Sequence, residues 1–277
     1  MSEPVLLIDN PAPKVRRFTL NRPEKRNALN DDLRGALFDA LRDGDKARDV
    51  SVMIIRGAGS AFCAGYDLGS PNSDVERAIS RADGWWSRHV VNNWFEMWDM
   101  STPIIAQVHG YCLAGGTELA TACDLVYVAQ DAKIGYPPVR LMSPPDMQWQ
   151  TWLMGLRQGM EALLTGDSMS GVDAVTHGFA NRAHPVDELD GAVLAMAQRI
   201  AKVPADLLAL NKRAAHRAMD VMGIRAGIRA TAEIQALGFH QKSSIEYMQS
   251  FAAKGVTAAL SERDAAFGDY REENKDS

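Results

Sequence analysis

The sequence lacks the features that mark membrane-spanning and secreted proteins. No apolar run approaches the roughly 20 residues that span a bilayer, and the start, MSEPVLLIDNPAPKVRR, has no basic region followed by a long apolar stretch. Cysteine is scarce: Cys63, Cys112 and Cys123 are the three in the chain, and all lie in apolar contexts. Buried free thiols are typical of a reducing compartment. We therefore expect a cytoplasmic protein with no membrane association, and a Cys nucleophile is the minor alternative.

An excess of basic charge is also absent. The 30 Lys and Arg stand against 35 Asp and Glu, and the net charge of −5 argues against a nucleic-acid partner. The glycine-containing segments match neither GxGxxG nor GxxxxGK[ST], so a nucleotide phosphate loop is not supported. With 46% hydrophobic and 23% charged residues, the composition is that of an ordinary globular protein with a substantial core.

The apolar pattern predicts an α/β chain followed by helices. PVLLID and VRRFTL predict a β-hairpin around the turn NPAPK, and later short apolar segments predict strands buried on both faces. Asn30 or Asp31 is expected to cap a helix whose apolar residues recur at helical spacing. Strands and helices alternate until about residue 186, beyond which only helical patterns occur. The alternation is typical of an α/β fold.

Two segments combine an apolar strand with glycines that lead toward a helix: GAGSAFCAGYDL and VHGYCLAGGTEL. Glycine lets a ligand approach the backbone closely. The N–H groups in the first turn of a helix are unpaired and favour negative charge. Two such groups converging on one point would form an oxyanion hole, which stabilises an enolate or a tetrahedral intermediate.

Glu118 is a carboxylate inside the apolar run that follows the glycine pair Gly115 and Gly116. A buried carboxylate is costly unless it is hydrogen-bonded or has a catalytic task. From the residues alone, two interpretations are open. Glu118 is an acid/base group, or it complements the positive end of its own helix.

The order and spacing of several segments resemble the crotonase, or enoyl-CoA hydratase/isomerase, superfamily. The resemblance covers roughly residues 5–270. It is carried by LNRPEKRNALN, GSAFCAGYDL, PIIAQVHGYCLAGGTELATACDL, AKIGYPP and LTGDSMSGVDAVTHGFANRAHPVDEL. It implies an α/β fold, a crotonase-type spiral of ββα turns over residues 1–195, with a C-terminal helical trimerisation region over residues 196–277. It also implies a homotrimer or a hexamer (dimer of trimers), a coenzyme A thioester as substrate, and no required cofactor or metal.

The resemblance implies site residues by position. The two oxyanion donors would be the backbone N–H groups of Tyr66 and Gly115. The positions that would hold coenzyme A are Lys25, Arg26, Ala64, Tyr66, Asp67 and Leu68. Those in the AGYDL segment would bind the adenine region through their backbone, and the basic pair would approach the phosphates. A solvated loop is the alternative for the basic pair.

Glu118 occupies the position of the first of two catalytic glutamates in the family's hydratases, where the pair holds water, removes its proton and protonates Cα. The second glutamate position is Pro138 in this chain, which can neither donate nor accept a proton. The two-glutamate hydration is therefore in doubt. Asp146 aligns where related branches place an aspartate, either as an acid/base residue or as a nucleophile. An ordinary helix N-cap is the alternative for Asp146.

Other candidate residues each have a structural alternative. His109 precedes the oxyanion segment and is expected to be a core histidine, and His89 is expected at the surface. Arg140 either pairs with a carboxylate on the substrate or forms a surface salt bridge. Four tryptophans either line an acyl pocket or belong to the core: Trp85, Trp86, Trp94 and Trp98.

Three functional hypotheses follow, and the resemblance favours the first. The chain is an acyl-CoA enzyme of hydratase or isomerase type that stabilises a thioester enolate, with Glu118 as acid/base. Alternatively, it is a hydrolase or dehalogenase-like member that uses Asp146 to form an ester or to direct a water molecule. As a third possibility, it is an inactive acyl-CoA binder, for which Pro138 argues and Glu118 does not.

Overall fold

The computed structural model describes residues 3–69, 85–268 and 270. Nine strands are found in this part of the chain. They are β1 (Leu6–Ala12), β2 (Val15–Leu20), β3 (Val52–Gly57), β4 (Ala61–Cys63), β5 (Ile104–Val108), β6 (Tyr111–Leu113), β7 (Leu125–Ala129), β8 (Lys133–Gly135) and β9 (Arg182–His184).

The strands form two sheets that repeat one connection. The larger sheet has the order β1-β2-β3-β5-β7-β9, and the smaller has β4-β6-β8. Each of β3, β5 and β7 is followed at once by a short strand of the smaller sheet, so the chain passes from sheet to sheet in three successive turns. All pairs are parallel except β1 with β2. This arrangement places the ends of the larger sheet's strands beside the smaller sheet.

The predicted hairpin is confirmed, with a tighter turn than expected. β1 continues through Asn10 and Pro11 of NPAPK to Ala12, which pairs with Val15 after an irregularity in the register. Lys14 adopts a positive φ of 64° at the reversal. The prediction ended β1 too early because proline usually interrupts a strand, but an edge strand tolerates it.

Helices cover the sheets and form the C-terminal third of the described chain. Their bounds are α1 (Asp31–Lys46), α2 (Trp85–Asp99), α3 (Gly115–Ala122), α4 (Gln150–Leu153), α5 (Gly155–Thr165), α6 (Gly171–Thr176), α7 (Val186–Ile200), α8 (Ala205–Val221), α9 (Ile224–Gly238), α10 (Lys242–Lys254) and α11 (Val256–Ala265). Two short 3-10 helices span Pro23–Lys25 and Pro137–Arg140.

Helix α1 shows how local sequence sets an element. The side chain of Asn30 accepts a hydrogen bond of 3.0 Å from the N–H of Leu33, so Asn30 is the N-cap that the sequence predicts. Leu33, Leu37 and Leu41 recur at helical spacing and are fully buried against the larger sheet. Capping and apolar periodicity therefore agree on where this helix begins and which face it buries.

The core is continuous and contains the three cysteines. β3 and β5 are buried along almost their whole length, as expected for strands covered on both faces. Cys63, Cys112 and Cys123 are free and buried. Burial raises the pKa of Cys63 to about 12, so its thiol is protonated at neutral pH and is a poor nucleophile.

The C-terminal helices follow the predicted change of pattern. Helix α7 crosses the boundary predicted between residues 195 and 196 and packs on β3, β5 and β7, so it belongs to the layer that covers the sheet. The domain boundary itself stays a prediction. Within the described ranges, no helix has the length and apolar character needed to cross a membrane.

The predicted surface salt bridge of Arg140 is wrong, because Arg140 forms a buried ion pair. Its side chain is 1% exposed and its Nη1 lies 3.0 Å from Oδ1 of Asp264. A second carboxylate, that of Asp167, lies 3.0 Å from Nη2, and the ring of Phe267 stacks 3.8 Å from the guanidinium carbon. These contacts tie the C-terminal helices to the 3-10 helix that contains Pro138.

Candidate active site

The two glycine segments of the sequence meet at the start of helix α3. A Cβ added to Gly65 would lie 3.2 Å from the amide nitrogen of Gly115 and 2.8 Å from Cβ of Ala114. A Cβ added to Gly116 would lie 2.4 Å from the carbonyl oxygen of Cys63. Glycine is therefore required here because two backbone segments approach closely. Gly65 also has a φ of 96°, which residues with a side chain rarely adopt.

The N–H groups of Tyr66 and Gly115 meet at this junction, and neither has an acceptor within the described ranges. Their neighbours are fixed by hydrogen bonds, since the N–H of Leu29 donates to the carbonyl of Gly65 and the N–H of Asp67 donates to the carbonyl of Leu29. Gly115 is the first residue of α3, where an N–H has no partner within the helix. The arrangement suits a ligand with a negatively charged oxygen.

Ala114, just before Gly115, adopts an unusual conformation that the sequence did not reveal. Its φ is 50° and its ψ is −122°, a region that is essentially restricted to glycine. Strain of this kind persists when the surrounding structure holds it, and here the N–H of Ala114 donates to the carbonyl of Gly135 at 3.0 Å. The helix that carries Gly115 and Glu118 therefore begins at a strained residue.

Replacing Gly116 by Ala is expected to lower the free energy of unfolding by about 1–3 kcal/mol, because the new methyl group must displace the backbone of Cys63. Gly35→Ala is the matched control. Gly35 lies inside helix α1 with no atom within 4 Å of an added Cβ, so alanine there should raise the free energy of unfolding by about 0.5–1 kcal/mol. Denaturant unfolding measures both, and equal effects would contradict the close approach.

Glu118 is fully buried and accepts three hydrogen bonds from groups outside its own helix. The hydroxyl of Tyr66 donates to Oε2 at 2.6 Å, and the indole N–H of Trp94 donates to the same oxygen at 3.2 Å. The backbone N–H of Met147 donates to Oε1 at 3.2 Å. The carboxylate is thus held by three separate segments, and the interpretation that it complements its own helix N-terminus is not supported by these contacts.

The environment of Glu118 has two opposing effects on its pKa. Burial raises the pKa above the ordinary value, and the hydrogen bonds from Tyr66, Met147 and Trp94 lower it again. The net direction is upward. Three donors and no acceptor suit an ionised carboxylate, which can only accept. Glu118 therefore has the surroundings of a base with a raised pKa.

Asp146 lies in the same buried cluster, although 28 positions separate it from Glu118 in the chain. Its Oδ1 lies 3.1 Å from the hydroxyl of Ser87, and its Oδ2 lies 3.5 Å from the hydroxyl of Tyr136. Helix α4 begins only at Gln150, with Trp149 as N-cap. The alternative that Asp146 is an ordinary helix N-cap is therefore wrong.

Asp146 has the surroundings of a neutral carboxylic acid. Burial raises its pKa well above the ordinary value, and the negative charge of Glu118 raises it further. Oε1 of Gln235 makes a very short contact with the Ser87 hydroxyl. The Ser87 hydroxyl has one proton, which it can donate to Gln235 or to Oδ1 of Asp146. The hydrogen bonds from Ser87 and Tyr136 lower the pKa of Asp146, but burial and the charge of Glu118 outweigh them, and the net direction is upward.

Tyr136 is a neighbour of both carboxyl groups. Its hydroxyl lies 3.5 Å from Oδ2 of Asp146 and accepts from the N–H of Asp146 at 3.3 Å, and its proximity lowers the pKa of Glu118. Pro138, the position of the second family glutamate, is in the 3-10 helix two residues later. The carbonyl of Pro138 accepts from Leu141, Met142 and Ser143, and so shapes the loop that carries Asp146.

The tryptophans of helix α2 divide between the site and the core. Trp94 contacts Glu118, and Trp86 packs edge-on against Tyr66 with the ring centroids 5.4 Å apart. Trp98 instead stacks on His216, away from this cluster. The side chain of Trp85 lies outside the described residues. Trp86, Trp94 and Trp98 are buried, as the core alternative predicts, and the acyl pocket stays a prediction.

The histidine candidates are outside the carboxylate cluster. His109 is partly exposed and its Nε2 lies 2.9 Å from the carbonyl oxygen of Gly59. His89 is half-buried, and its ring lies 6.4 Å from that of Trp86. Over residues 3–69, 85–268 and 270, no group of three or more His, Cys, Asp or Glu side chains has a geometry that could hold a metal ion.

The residues predicted to hold coenzyme A lie on the surface beside the glycine junction. Lys25 and Arg26 are exposed, and the guanidinium of Arg26 stacks 4.7 Å from the ring centroid of Tyr111. Asp67 is tied back by Nη2 of Arg22 at 2.8 Å. Ala64 donates its N–H to the carbonyl of Arg26, and Leu68 is exposed. Their role in binding coenzyme A stays a prediction.

Sequence reasoning missed four side chains that complete the cluster: Tyr66, Ser87, Tyr136 and Gln235. Tyr66 was considered only for its backbone, yet its ring also lies where a Cβ on Gly115 would be, 2.8 Å away. The other three residues come from separate elements, so no spacing in the sequence connects them. A tyrosine directly after the glycine of CAGYDL was the one available signal, because a large aromatic there must enter the junction.

Comparisons with known proteins agree with this architecture. A model of the family described as "Enoyl-CoA hydratase/isomerase" matches residues 12–260. The chain is 30% identical to a probable mitochondrial enoyl-CoA hydratase of Dictyostelium discoideum over 87% of this chain and 86% of the relative. It is 33% identical to a probable enoyl-CoA hydratase of Mycobacterium bovis, over 75% and 79% respectively. The crystal structure of an enoyl-CoA hydratase from Mycobacterium smegmatis superposes with a TM-score of 0.90 at 28% identity, covering 100% of this chain and 99% of the other.

Proposed function

Because the chain belongs to the enoyl-CoA hydratase/isomerase family, we propose that it forms a thioester enolate held by the N–H groups of Tyr66 and Gly115. Glu118 and Asp146 are the proton-transfer pair in this proposal. The observation that carries it is the burial of these two carboxyl groups in one hydrogen-bonded cluster, beside two backbone N–H groups without acceptors.

The two N–H groups act on the thioester oxygen. When a proton leaves Cα, or a hydroxyl adds to Cβ of an enoyl ester, negative charge develops on that oxygen. Donors that are already in place stabilise the charge without reorganisation, and losing one such donor typically costs a factor of about 10²–10³ in rate. The first turn of α3 adds the favourable end of a helix dipole.

Glu118 and Asp146 carry out different proton transfers in this proposal. Glu118, ionised and held by three donors, removes a proton from carbon in a double-bond shift, or from water in a hydration. Asp146, neutral in its buried site, donates a proton to the carbon that completes the product. Tyr136 contacts Asp146 and is close enough to lower the pKa of Glu118, so in this proposal it returns a proton from Glu118 to Asp146 between turnovers. Opposed environments of this kind are how paired carboxyl groups acquire separate roles.

The competing hypotheses are less well supported by the same contacts. A nucleophilic Asp146 needs an ionised carboxylate, whereas burial and the charge of Glu118 favour its neutral form. An inactive binder would have lost the second proton-transfer group with Pro138, yet Asp146 supplies one from a different loop. We therefore favour a hydratase or isomerase reaction over hydrolysis, dehalogenation or binding alone.

The test is incubation of the purified protein with enoyl-CoA, 3-oxoacyl-CoA and aryl-CoA esters in ¹⁸O-labelled water, followed by mass spectrometry. The proposal expects a gain of one labelled water on an enoyl ester, or a shifted double bond without label. Hydrolysed product, or label retained in Asp146, would support the nucleophilic alternative instead. Tight binding with no change in any ester would support the binder.

Tyr66→Phe is expected to lower kcat about tenfold and to move the acidic limb of the pH–rate profile to higher pH. The Tyr66 hydroxyl lowers the pKa of Glu118, so its removal leaves the base protonated over a wider range. Tyr127→Phe is the control, because Tyr127 is also buried but stacks on His184 outside the cluster. An unchanged acidic limb in Tyr66→Phe would contradict the hydrogen bond's role.

We further propose a cytoplasmic homotrimer or hexamer that needs no cofactor, since every group in the mechanism is a protein atom. Helix α5 supports an oligomer, because it exposes large apolar side chains: Leu156 is 68% exposed, Leu164 75% and Met160 42%. Light scattering tests the assembly, and the mass of a single chain would contradict it. Activity that survives dialysis against a chelator would support the absence of a metal.

A further inference from the structure

Arg34 is a buried cation whose role the proposed reaction leaves open. It lies in the first turns of helix α1, on the face that packs inward, and is 6% exposed. Arginine is almost never buried without a partner, since leaving water costs a charge several kcal/mol. A buried guanidinium therefore calls for an anion.

Within the described ranges, the protein offers Arg34 little anionic partnership. Nε of Arg34 is buried and has no hydrogen-bond partner among residues 3–69, 85–268 and 270. Within the described ranges, its ion-pair partner is Asp31, with Nη1 and Oδ1 3.7 Å apart, which is beyond hydrogen-bond distance. A guanidinium has five N–H donors in a rigid fork. Most of its hydrogen-bonding capacity is thus directed at something other than the described residues.

The position of Arg34 connects it with the acyl end of the site. Its guanidinium carbon lies 5.1 Å from the ring centroid of Trp86, and Trp86 packs edge-on against Tyr66. Tyr66 in turn donates to Glu118. The positive charge of Arg34 also acts on Tyr66 and Asp146, whose pKa values it lowers. The ring of Trp86 therefore lies between Arg34 and Tyr66, whose hydroxyl is bonded to Glu118.

The location separates Arg34 from the cations expected to meet coenzyme A. Lys25 and Arg26 are exposed on the surface, where phosphates would be solvated. Arg34 is buried beside the carboxylate cluster, where the acyl chain would lie. An anion that reaches it must be carried by the acyl group itself.

We infer that Arg34 binds a carboxylate on the acyl group, so that the preferred substrates are coenzyme A monothioesters of dicarboxylic acids. This inference rests on the proposed function, because it assumes a thioester beside Glu118. A guanidinium fork matches a carboxylate with two parallel N–H···O bonds. The alternative is that Arg34 only offsets the charge of Glu118 and Asp146, and it predicts no preference among acyl groups.

The experiment compares dissociation constants by calorimetry for esters of matched length. Glutaryl-CoA and adipyl-CoA carry the carboxylate, while pentanoyl-CoA, hexanoyl-CoA and the methyl ester of glutaryl-CoA do not. The wild-type protein should bind at least one carboxylated ester about 10–100-fold more tightly than its uncharged counterpart, as expected for a charge-assisted pair.

Arg34→Met should abolish the preference for carboxylated esters, and Arg34→Lys should keep only part of it because lysine lacks the fork. Arg42→Met is the matched control from the same helix. Arg42 is 42% exposed and pairs with Glu96 and Asp39, so its loss should leave the preference intact.

Two results would overturn the inference while leaving the proposed function standing. One is equal affinity of the wild type for charged and uncharged esters, which needs no variant to fold. The other is a preference that survives in Arg34→Met. If no coenzyme A ester binds at all, the proposed function fails and the inference fails with it.

Discussion

Glu118→Gln is expected to lower kcat by a factor of about 10²–10⁴, the usual contribution of a positioned acid/base group. The amide is nearly isosteric with the carboxylate but cannot take up a proton. Its oxygen still accepts from Tyr66 or from Met147, so the site should keep its shape. The dissociation constant for a saturated acyl-CoA should change by less than about threefold, because binding does not require proton transfer.

The most direct measurement is exchange of the Cα protons of a saturated acyl-CoA in deuterated water, followed by mass spectrometry. Exchange requires only enolate formation, so it isolates the base from later steps. Glu246→Gln is the control, since Glu246 is 62% exposed on helix α10. Wild-type exchange by Glu118→Gln would refute the role proposed for this residue.

Asp146→Asn is expected to lower the overall rate by a factor of about 10² or more, because the final protonation of carbon loses its donor. Asparagine reproduces the shape and much of the hydrogen bonding of a neutral carboxylic acid. A merely structural Asp146 would therefore tolerate the change, and a catalytic one would not. Cα exchange by Glu118 should decline less than the complete reaction does.

The same variant should be more stable than the wild type at neutral pH. The pKa of Asp146 is raised in the folded protein, so its contribution to stability is complete below the ordinary Asp pKa of about 3.9 and is lost as the pH rises through the folded value. Asparagine has no charge to bury and escapes this loss. Denaturant unfolding should show that the difference in free energy of unfolding between Asp146→Asn and the wild type is smaller near pH 4 than at pH 7.

The pH–rate profile gives an independent check on both residues. Activity should rise as Glu118 ionises, at a pH above the ordinary glutamate range, and fall as Asp146 loses its proton. Asp146→Asn should remove the alkaline limb from whatever activity remains. An alkaline limb unchanged in that variant would assign it to another group.

Local sequence predicted the elements well, because each of them is determined by neighbours in the chain. The N-cap at Asn30, the apolar spacing of α1 and the buried strand β3 are all short-range patterns. The hairpin turn was the exception. Strand β1 continues through Pro11, which an edge position tolerates.

The glycine junction was also readable, because glycine is informative wherever backbones approach closely. Gly65, Gly115 and Gly116 identified the meeting point of two segments, and Glu118 stood out as a carboxylate in an apolar run. Family resemblance supplied the role that we propose for those residues. These features depend on residue type at fixed spacing, which a single sequence displays.

The surroundings of Asp146, the candidate partner of Glu118, were decided by the tertiary structure. Asp146 comes from a loop without regular structure, and its neighbours Ser87 and Gln235 come from helices α2 and α9. Their proximity is a product of how the C-terminal helices pack against α2, and side-chain packing at long range leaves no periodic signal. The sequence by itself determined the fold family and identified the two glycine segments and two candidate carboxyl groups, Glu118 and Asp146. Only the packed chain determined whether those carboxyl groups share one buried cluster, because burial and charge act between residues that the fold alone brings together.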